Sequence, residues 1–368
     1  MVSSERVWER FLPQPPGNGV SVGSAWTLAG KSVLVTGAGG FIGSALVKVI
    51  AAVRPRVLVL LDSSEGNLFE IQRFLEAAFP HVPCQAVLGS VENAPLLDQI
   101  FSRFRPETTF HAAAFKHVPL LEGNPFSAVR NNALGTHALA QAARRHGSEK
   151  FVLISTDKAV NPHSIMGASK RIAELITVSL SGPACRMNAV RLVNVIGSSG
   201  SVVPLFWEQI EKRGPVLATH PQASRYFLSL SETLNAILAC GASACDGRIL
   251  LSEAGEPVRI VELAQFLIKA MGNGSGTEIP ILFTGLRPGD KLTEDLISSK
   301  EKRNGFINDA LTEIETQKLT PAQITEIIKD LSACTASHDL TMLMRIVSSI
   351  VPEYMPSRLL LDTVTLAS

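Results

Sequence analysis

Three adjacent side chains, Thr156, Asp157 and Lys158, place a hydroxyl, a carboxylate and an amine just beyond the apolar run Phe151 to Ser155. A carboxyl group and an amine set together can give and take protons, provided burial and neighbouring charge move each to a useful protonation state. Lys170 supplies a second amine, four residues after Met166, whose thioether cannot exchange a proton. The competing reading of Asp157 and Lys158 is an ion pair at the surface end of a strand. Against it, the C-terminal ends of strands in open parallel sheets are where ligands bind.

A second constellation lies upstream. Thr36-Gly37-Ala38-Gly39-Gly40-Phe41-Ile42-Gly43 joins a β-branched run, Ser32 to Thr36, to an amphipathic stretch, Phe41 to Val53. Residues without a Cβ let backbone approach a pyrophosphate at a helix N-terminus. The next apolar run, Val57 to Leu61, leads into Asp62 and Ser63. A carboxylate about 20 residues past the glycine turn can accept hydrogen bonds from an adenine ribose and would repel a 2′-phosphate. Strand, turn, helix and acid in register predict NAD rather than NADP; the alternative is a turn kept for packing alone.

These groups need a sheet to hold them. Strand-like runs at Gln85 to Leu88, Thr108 to His111 and Phe151 to Ser155 alternate with helical stretches, which predicts an α/β fold with a Rossmann-type, doubly wound parallel sheet. Residues 31–193 form the expected NAD-binding domain, after an arm over 1–30 in which Trp8, Phe11 and Trp26 dock onto the body. Residues 194–318 form a smaller C-terminal substrate-binding lobe, partly interleaved with the first domain. It contains a helix from Leu230 to Ala242, a strand from Arg248 to Ser252 and a helix from Ile260 to Met271. Residues 319–368 form a helical tail, with two helices broken near Ser337 to Asp339.

With 368 residues, 46% hydrophobic and 18% charged, the chain can bury a sizeable core. A formal charge of +1 without a long basic block argues against nucleic acid as a partner. No apolar run reaches the roughly 20 residues of a membrane span, and the charged, proline-rich N-terminus lacks signal-peptide order. Five scattered cysteines without a CxxC pair predict reduced thiols and a cytoplasmic setting, with no metal site.

The spacing Gly37, Gly40, Gly43 resembles the TGxxGxxG turn of short-chain dehydrogenases. His111-Ala112-Ala113-Ala114 and Asn131-Asn132-Ala133-Leu134-Gly135-Thr136 resemble two further elements of that class. The class normally carries a tyrosine four residues before a lysine, but the two tyrosines, Tyr226 and Tyr354, precede Leu230 and Arg358 at that distance. Met166 stands at the tyrosine position before Lys170. Ser155 to Pro162, Phe115-Lys116-His117-Val118-Pro119, Arg191 to Ser198, Ser201 to Phe206, Arg225-Tyr226-Phe227 and Gly285 to Leu292 closely resemble the extended enzymes of the CapD and FlaA1 polysaccharide-biosynthesis group. In that group the longer-form members carry Met for Tyr. The likeness spans roughly residues 27 to 357.

The resemblance implies NAD-dependent 4,6-dehydration of a UDP-N-acetylhexosamine, most simply UDP-N-acetylglucosamine, in surface polysaccharide or glycoconjugate synthesis. It implies that Lys158 removes the C5 proton, that Asp157 protonates the departing C6 hydroxyl, and that Thr156 bonds the C4 hydroxyl. Burial and Lys170 are expected to depress the pKa of Lys158, and an apolar pocket to raise that of Asp157. The implied cofactor residues are Gly37, Gly39, Gly40, Phe41, Ile42, Gly43, Asp62, Ser63, Ala112, Ala113, Ala114, Lys116, Asn131 and Lys170. The implied substrate residues are Lys116, His117, Asn194, Val202, Arg225 and Arg287. His117 has the equal alternative of organising a loop, and either arginine that of a structural role.

The resemblance further implies a homo-oligomer. Long-form members carry an N-terminal membrane region not seen in this sequence, and Ser90 stands where the group often has an acid that contacts adenine. Two other functions compete: a UDP-hexose 4-epimerase, which needs a C4 acid/base and normally has the tyrosine, and a catalytically silent NAD-binding protein. Within the dehydratase class a C5-inverted product is a further option.

Overall fold

Runs that are apolar on both faces are stable only between two covering layers. Six of them make the parallel centre of one sheet. In the computed structural model, which describes residues 22–271, 279–308 and 310–367, these are β1 (Ser32–Thr36), β2 (Val57–Asp62), β3 (Cys84–Leu88), β4 (Thr108–His111), β5 (Lys150–Thr156) and β6 (Arg186–Leu192). Four short strands follow: β7 (Asn194–Val195), β8 (Val216–Ala218), β9 (Ser224–Arg225) and β10 (Phe227–Leu228). Then come β11 (Ile249–Ser252), β12 (Val258–Arg259), β13 (Ile281–Phe283), β14 (Lys302–Asn308) and β15 (Leu311–Glu315).

The nine-stranded sheet has the order β14-β15-β11-β6-β5-β4-β1-β2-β3. Every pairing from β11 to β3 is parallel, and β15 runs antiparallel to both its neighbours. The order reverses between β1 and β4, the switch point outside which such sheets bind ligands. This is the predicted Rossmann-type architecture.

Strand periodicity shows why both faces need cover. Val33 and Val35 of β1 face Leu46, Val47 and Ile50 of the helix Phe41–Ala52, whereas Leu34 between them joins the opposite core with Leu139, Ile172 and Ile176. The helix Ile165–Leu180 is buried almost all round, as a helix enclosed between a sheet and further helices must be.

The smaller lobe pairs β7 with β10, β9 with β12 and β8 with β13. With the helices Val202–Glu211 and Ile260–Met271 it closes a separate core around Val203, Phe206, Leu263 and Leu267. The expected lobe over 194–318 is discontinuous, because β11, β14 and β15 return to the main sheet, where Ile249, Leu251 and Ile314 are buried.

The expected arm differs from what is found. Val22–Ala25 and Trp26–Leu28 form helical turns that bury Ala25 and Leu28, but Trp26 is 61% exposed and does not dock. Trp8 and Phe11 lie outside the described residues. The tail has the two expected helices, Pro321–Ser337 and Leu340–Ile350, separated at His338 (φ 55°), with Asp339 capping the second. A third, Arg358–Ala367, has no counterpart in the sequence reading. No described helix is long and apolar enough to cross a membrane, and all five cysteines are free.

Candidate active site

The glycine turn after β1 is tight enough that a Cβ has no room. At Gly37 (φ 64°) it would lie 2.7 Å from the Ala113 nitrogen, and at Gly43 it would lie 2.0 Å from the Gly37 oxygen. At Gly39 it would meet Asn67 backbone at 2.6 Å. The Asp62 carboxylate fixes this turn: Oδ2 accepts from the Gly39 amide at 2.8 Å and Oδ1 from the Ser64 amide at 2.9 Å. Phe41 and Ile42 open the helix behind the turn, Ser63 is exposed beside Asp62, and Ala112, Ala113 and Ala114 flank the crevice from the end of β4.

Below the crevice a hydrogen-bonded string ties β1, β4 and the next helix together. Thr136 Oγ1 donates to the Asn132 carbonyl (2.6 Å), so it accepts from His111 Nε2 (2.9 Å). That leaves His111 Nδ1 to accept from Thr36 Oγ1 at 2.7 Å, which defines the neutral tautomer. Burial, and then the charge of Lys170, pushes His111 down to about 3. Asn132 accepts from the Phe115 amide and donates to the Phe115 carbonyl and to Ser169 Oγ, clamping the loop after β4 to the buried helix. Asn131 donates to Asn132 Oδ1, within a π-helical turn, Arg130–Leu134. Such turns recur at functional sites.

Lys170 is buried, and its Nζ donates to the Ile154 carbonyl at 2.8 Å. Desolvation lowers it to about 8, opposed by Glu174. Met166, one turn earlier on the same helix, is packed in the main core.

The centre of the site is the turn that follows β5. Asp157 is wholly buried; its Oδ1 accepts from Thr156 Oγ1 (2.9 Å) and Lys158 Nζ (3.0 Å), while Oδ2 has no hydrogen-bond partner among the described residues. Lys158 Nζ also donates to Asn194 Oδ1 at 2.9 Å and stands 3.6 Å from Glu294 Oε1. Burial favours the neutral amine, but the carboxylates of Asp157 and Glu294 outweigh it, so Lys158 is held above the ordinary lysine range. This corrects the expected depression: the neighbouring carboxylates, not Lys170, decide its charge.

With this geometry in place, the chain can be set beside known proteins. Residues 33–315 match the family described as polysaccharide biosynthesis protein. The chain belongs to that family. It is 44% identical over 277 residues to the probable polysaccharide biosynthesis protein EpsC of Bacillus subtilis strain 168, covering 74% of this chain and 46% of EpsC. It is 40% identical over 307 residues to the capsular polysaccharide biosynthesis protein CapD of Staphylococcus aureus, covering 83% of this chain and 51% of CapD. This chain therefore spans about half the length of these relatives. Among solved structures, Pen from Bacillus thuringiensis superposes with a TM-score of 0.72 at 25% identity, over 82% of this chain and 98% of Pen.

Within this polysaccharide biosynthesis fold the predicted substrate residues are only partly brought together. Asn194 meets Lys158 directly. Arg225 has its guanidinium engaged with the carbonyls of Ser224, Lys291 and Leu292, and so clamps that segment. Arg287 is 56% exposed and pairs through Nε with Asp290. Lys116 is exposed and donates to the Ser199 carbonyl (2.8 Å), and His117 lies against Gly200. His117 is pushed below the ordinary histidine range by partial burial and by Lys116 and Arg287. Lys116, Arg287 and the His117 ring share one rim with the helix Val202–Glu211, whose capping Ser201 keeps a buried hydroxyl without a partner among the described residues.

Two features of this family member were missed in the sequence. Glu294 is buried between Lys158, Arg225 and Lys291, at 3.6, 3.7 and 3.6 Å. It stands just past the Gly285 to Leu292 motif, where a glutamate followed by an aspartate looks like solvated surface. The second is a buried ion network: Glu174 accepts from Ser155 Oγ, Arg171 and Arg191, and Glu301 from Arg171 and Arg191. Its members come from four separate stretches of chain, and no local spacing announces it.

Proposed function

We propose that the chain is an NAD-dependent 4,6-dehydratase of UDP-N-acetylhexosamines, with UDP-N-acetylglucosamine as the first candidate. The single observation that carries this reading is the buried Asp157 bonded to both Thr156 and Lys158, where the class tyrosine is replaced by Met166. The cradle that a Cβ would fill at Gly37, Gly39 and Gly43, with Asp62 at the end of β2, fits a dinucleotide pyrophosphate and ribose. NAD, when bound there, supplies a reversible hydride acceptor for the sugar carbon that is oxidised. In this reading Asn131 and Lys170, both buried, hold the nicotinamide side of the cofactor.

The protein groups then divide the proton work. Oxidation at C4 releases the hydroxyl proton, which Thr156 passes to Asp157 across 2.9 Å. The 4-ketone acidifies C5, and Lys158, entering as the free amine, takes the C5 proton. Asp157 donates its proton to O6 as the C6–O bond breaks and water leaves. Asp157 thus returns to the carboxylate, and Lys158, now the ammonium that its surroundings favour, exchanges with solvent and gives a proton back to C5 as C6 would take back the hydride, which yields the 4-keto-6-deoxy sugar and restores the free amine. Asn194 and Asp157 orient Lys158 throughout. Arg287, Lys116 and the N-terminus of the helix Val202–Glu211 offer the rim cations and amides that a UDP diphosphate requires.

The test is turnover of UDP-N-acetylglucosamine with NAD in deuterated water, followed by NMR and mass spectrometry. A 4-keto-6-deoxy product with deuterium at C5, lost in Lys158→Ala, is the expected outcome. An unlabelled C4 epimer would assign an epimerase instead, and no turnover across several UDP-sugars would assign a silent NAD-binding protein.

A further inference from the structure

Lys158 Nζ is surrounded by three acceptors from three different elements. Asp157 Oδ1 comes from its own turn at 3.0 Å, Asn194 Oδ1 from β7 at 2.9 Å, and Glu294 Oε1 from the segment after Lys291 at 3.6 Å. Glu294 is 4% exposed, and its Oε2 makes no hydrogen bond among the described residues. A buried carboxylate with an idle oxygen is costly unless neighbouring cations compensate it. Three do: Lys158, Arg225 and Lys291. Lys291 is itself anchored on the Val160 carbonyl and faces Asp295. Arg225 is clamped to the carbonyls of Lys291 and Leu292, so the Glu294 backbone is held close to β9.

We propose that Glu294 is a positioning residue for Lys158, a carboxylate carried by the substrate-lobe segment that holds the ammonium in place and controls when it gives up its proton. Asp157 cannot do this alone, because in the proposed reaction its own charge is cancelled when it receives the C4 hydroxyl proton. Glu294 keeps its charge at that moment. It is then the remaining anion facing Lys158, while Arg225 is the cation that opposes it. The charged and titratable groups around the pair are Asp157, Glu294 and Arg225 facing Lys158, with Lys291, Asp295 and His163 beyond Glu294. Lys158 is held above its ordinary range in the direction this arrangement requires.

The inference builds on the proposed dehydratase reading but is tested without turnover. The lysine side chains are labelled with 13C at Cε, the Lys158 resonance is assigned with Lys158→Arg, and the full chain is titrated by NMR. Removing one charge about 4 Å away lowers the Lys158 midpoint by about one pH unit or more in Glu294→Gln. In Glu294→Asp, which retracts the carboxylate by one methylene, the fall is smaller. Should the glutamine variant not fold, the aspartate variant decides alone. An unchanged Lys158 titration in a folded variant overturns the inference and leaves Glu294 a packing residue. In a turnover assay, Glu294→Gln moves the acidic limb of the kcat profile to lower pH with KM little changed. A wild-type chain that does not dehydrate the sugar, yet shows the titration shift, refutes the dehydratase reading and leaves the role of Glu294 intact.

Discussion

The α-carbon of Gly167 is pressed against the Lys158 carbonyl: a β-carbon on Gly167 would lie 2.2 Å from that oxygen and 3.0 Å from Pro162 Cβ. The buried helix is thereby packed directly on the turn that carries Asp157 and Lys158. An alanine inside an exposed helix stabilises relative to glycine by about 1 kcal/mol. Gly167→Ala has the opposite sign here, a loss of about 1–3 kcal/mol from overpacking. Urea denaturation measures it, and on the proposed mechanism kcat falls further than KM rises because Asp157 and Lys158 are displaced.

Asp157→Asn keeps the shape of the side chain and removes its proton chemistry. The expected kcat falls by about 10²–10⁴-fold, the usual contribution of a positioned acid or base. Single-turnover kinetics with UDP-N-acetylglucosamine measure the loss, and calorimetry shows unchanged NAD affinity.

Asp62 fixes the glycine turn and, in the proposed reading, also binds the adenine ribose. Asp62→Ala frees the Gly39 and Ser64 amides and removes the repulsion of a 2′-phosphate. NAD affinity falls by about tenfold, the loss of roughly one charge-assisted hydrogen bond, and the preference for NAD over NADP narrows in paired binding titrations.

His111 makes stability depend on acidity. Its folded pKa is depressed to about 3 from an ordinary 6.5, so the unfolded chain binds the proton first as the pH falls. The contribution is complete above about pH 6.5 and is lost below it, by about 1.4 kcal/mol per pH unit until the folded state also titrates. Thermal midpoints between pH 7 and 4 decline less steeply in His111→Gln than in the wild type.

Arg191→Leu leaves Glu174 fully buried with Arg171 as its ion-pair partner among the described residues. Breaking a buried pair from one side costs about 3–5 kcal/mol. Chemical denaturation at low and high salt gives the same loss, since water and ions do not reach the pair.

The sheet was legible because its signals are local. Val33, Leu34 and Val35 form an apolar run, the glycines after Thr36 fit a turn that a Cβ would block, and Asp62 falls at the right distance. Thr156, Asp157, Lys158 and Asn194 were legible too, and the fold brings them together. The charge state of Lys158 was not. It depends on Asp157 next to it and also on Glu294, 136 positions away in sequence, through a contact set by how the second lobe returns to β5. Arg225 shows the same limit, since the carbonyls that occupy it belong to Lys291 and Leu292. Trp26 shows the converse: a large apolar side chain in the sequence says nothing of whether a partner surface lies beneath it.

The ion network around Arg191 also imposes an order on biosynthesis. Arg191 lies in β6, but Glu301 immediately precedes β14, more than a hundred residues downstream. While the ribosome is still making the second lobe, β6 carries a guanidinium with only part of its compensating charge, beside a sheet edge that β11 and β15 have yet to cover. The central sheet therefore cannot reach its final state domain by domain as the chain emerges. A split of this protein into separately expressed halves at the lobe boundary would part Arg191 from Glu301 and leave each half with an uncompensated charge.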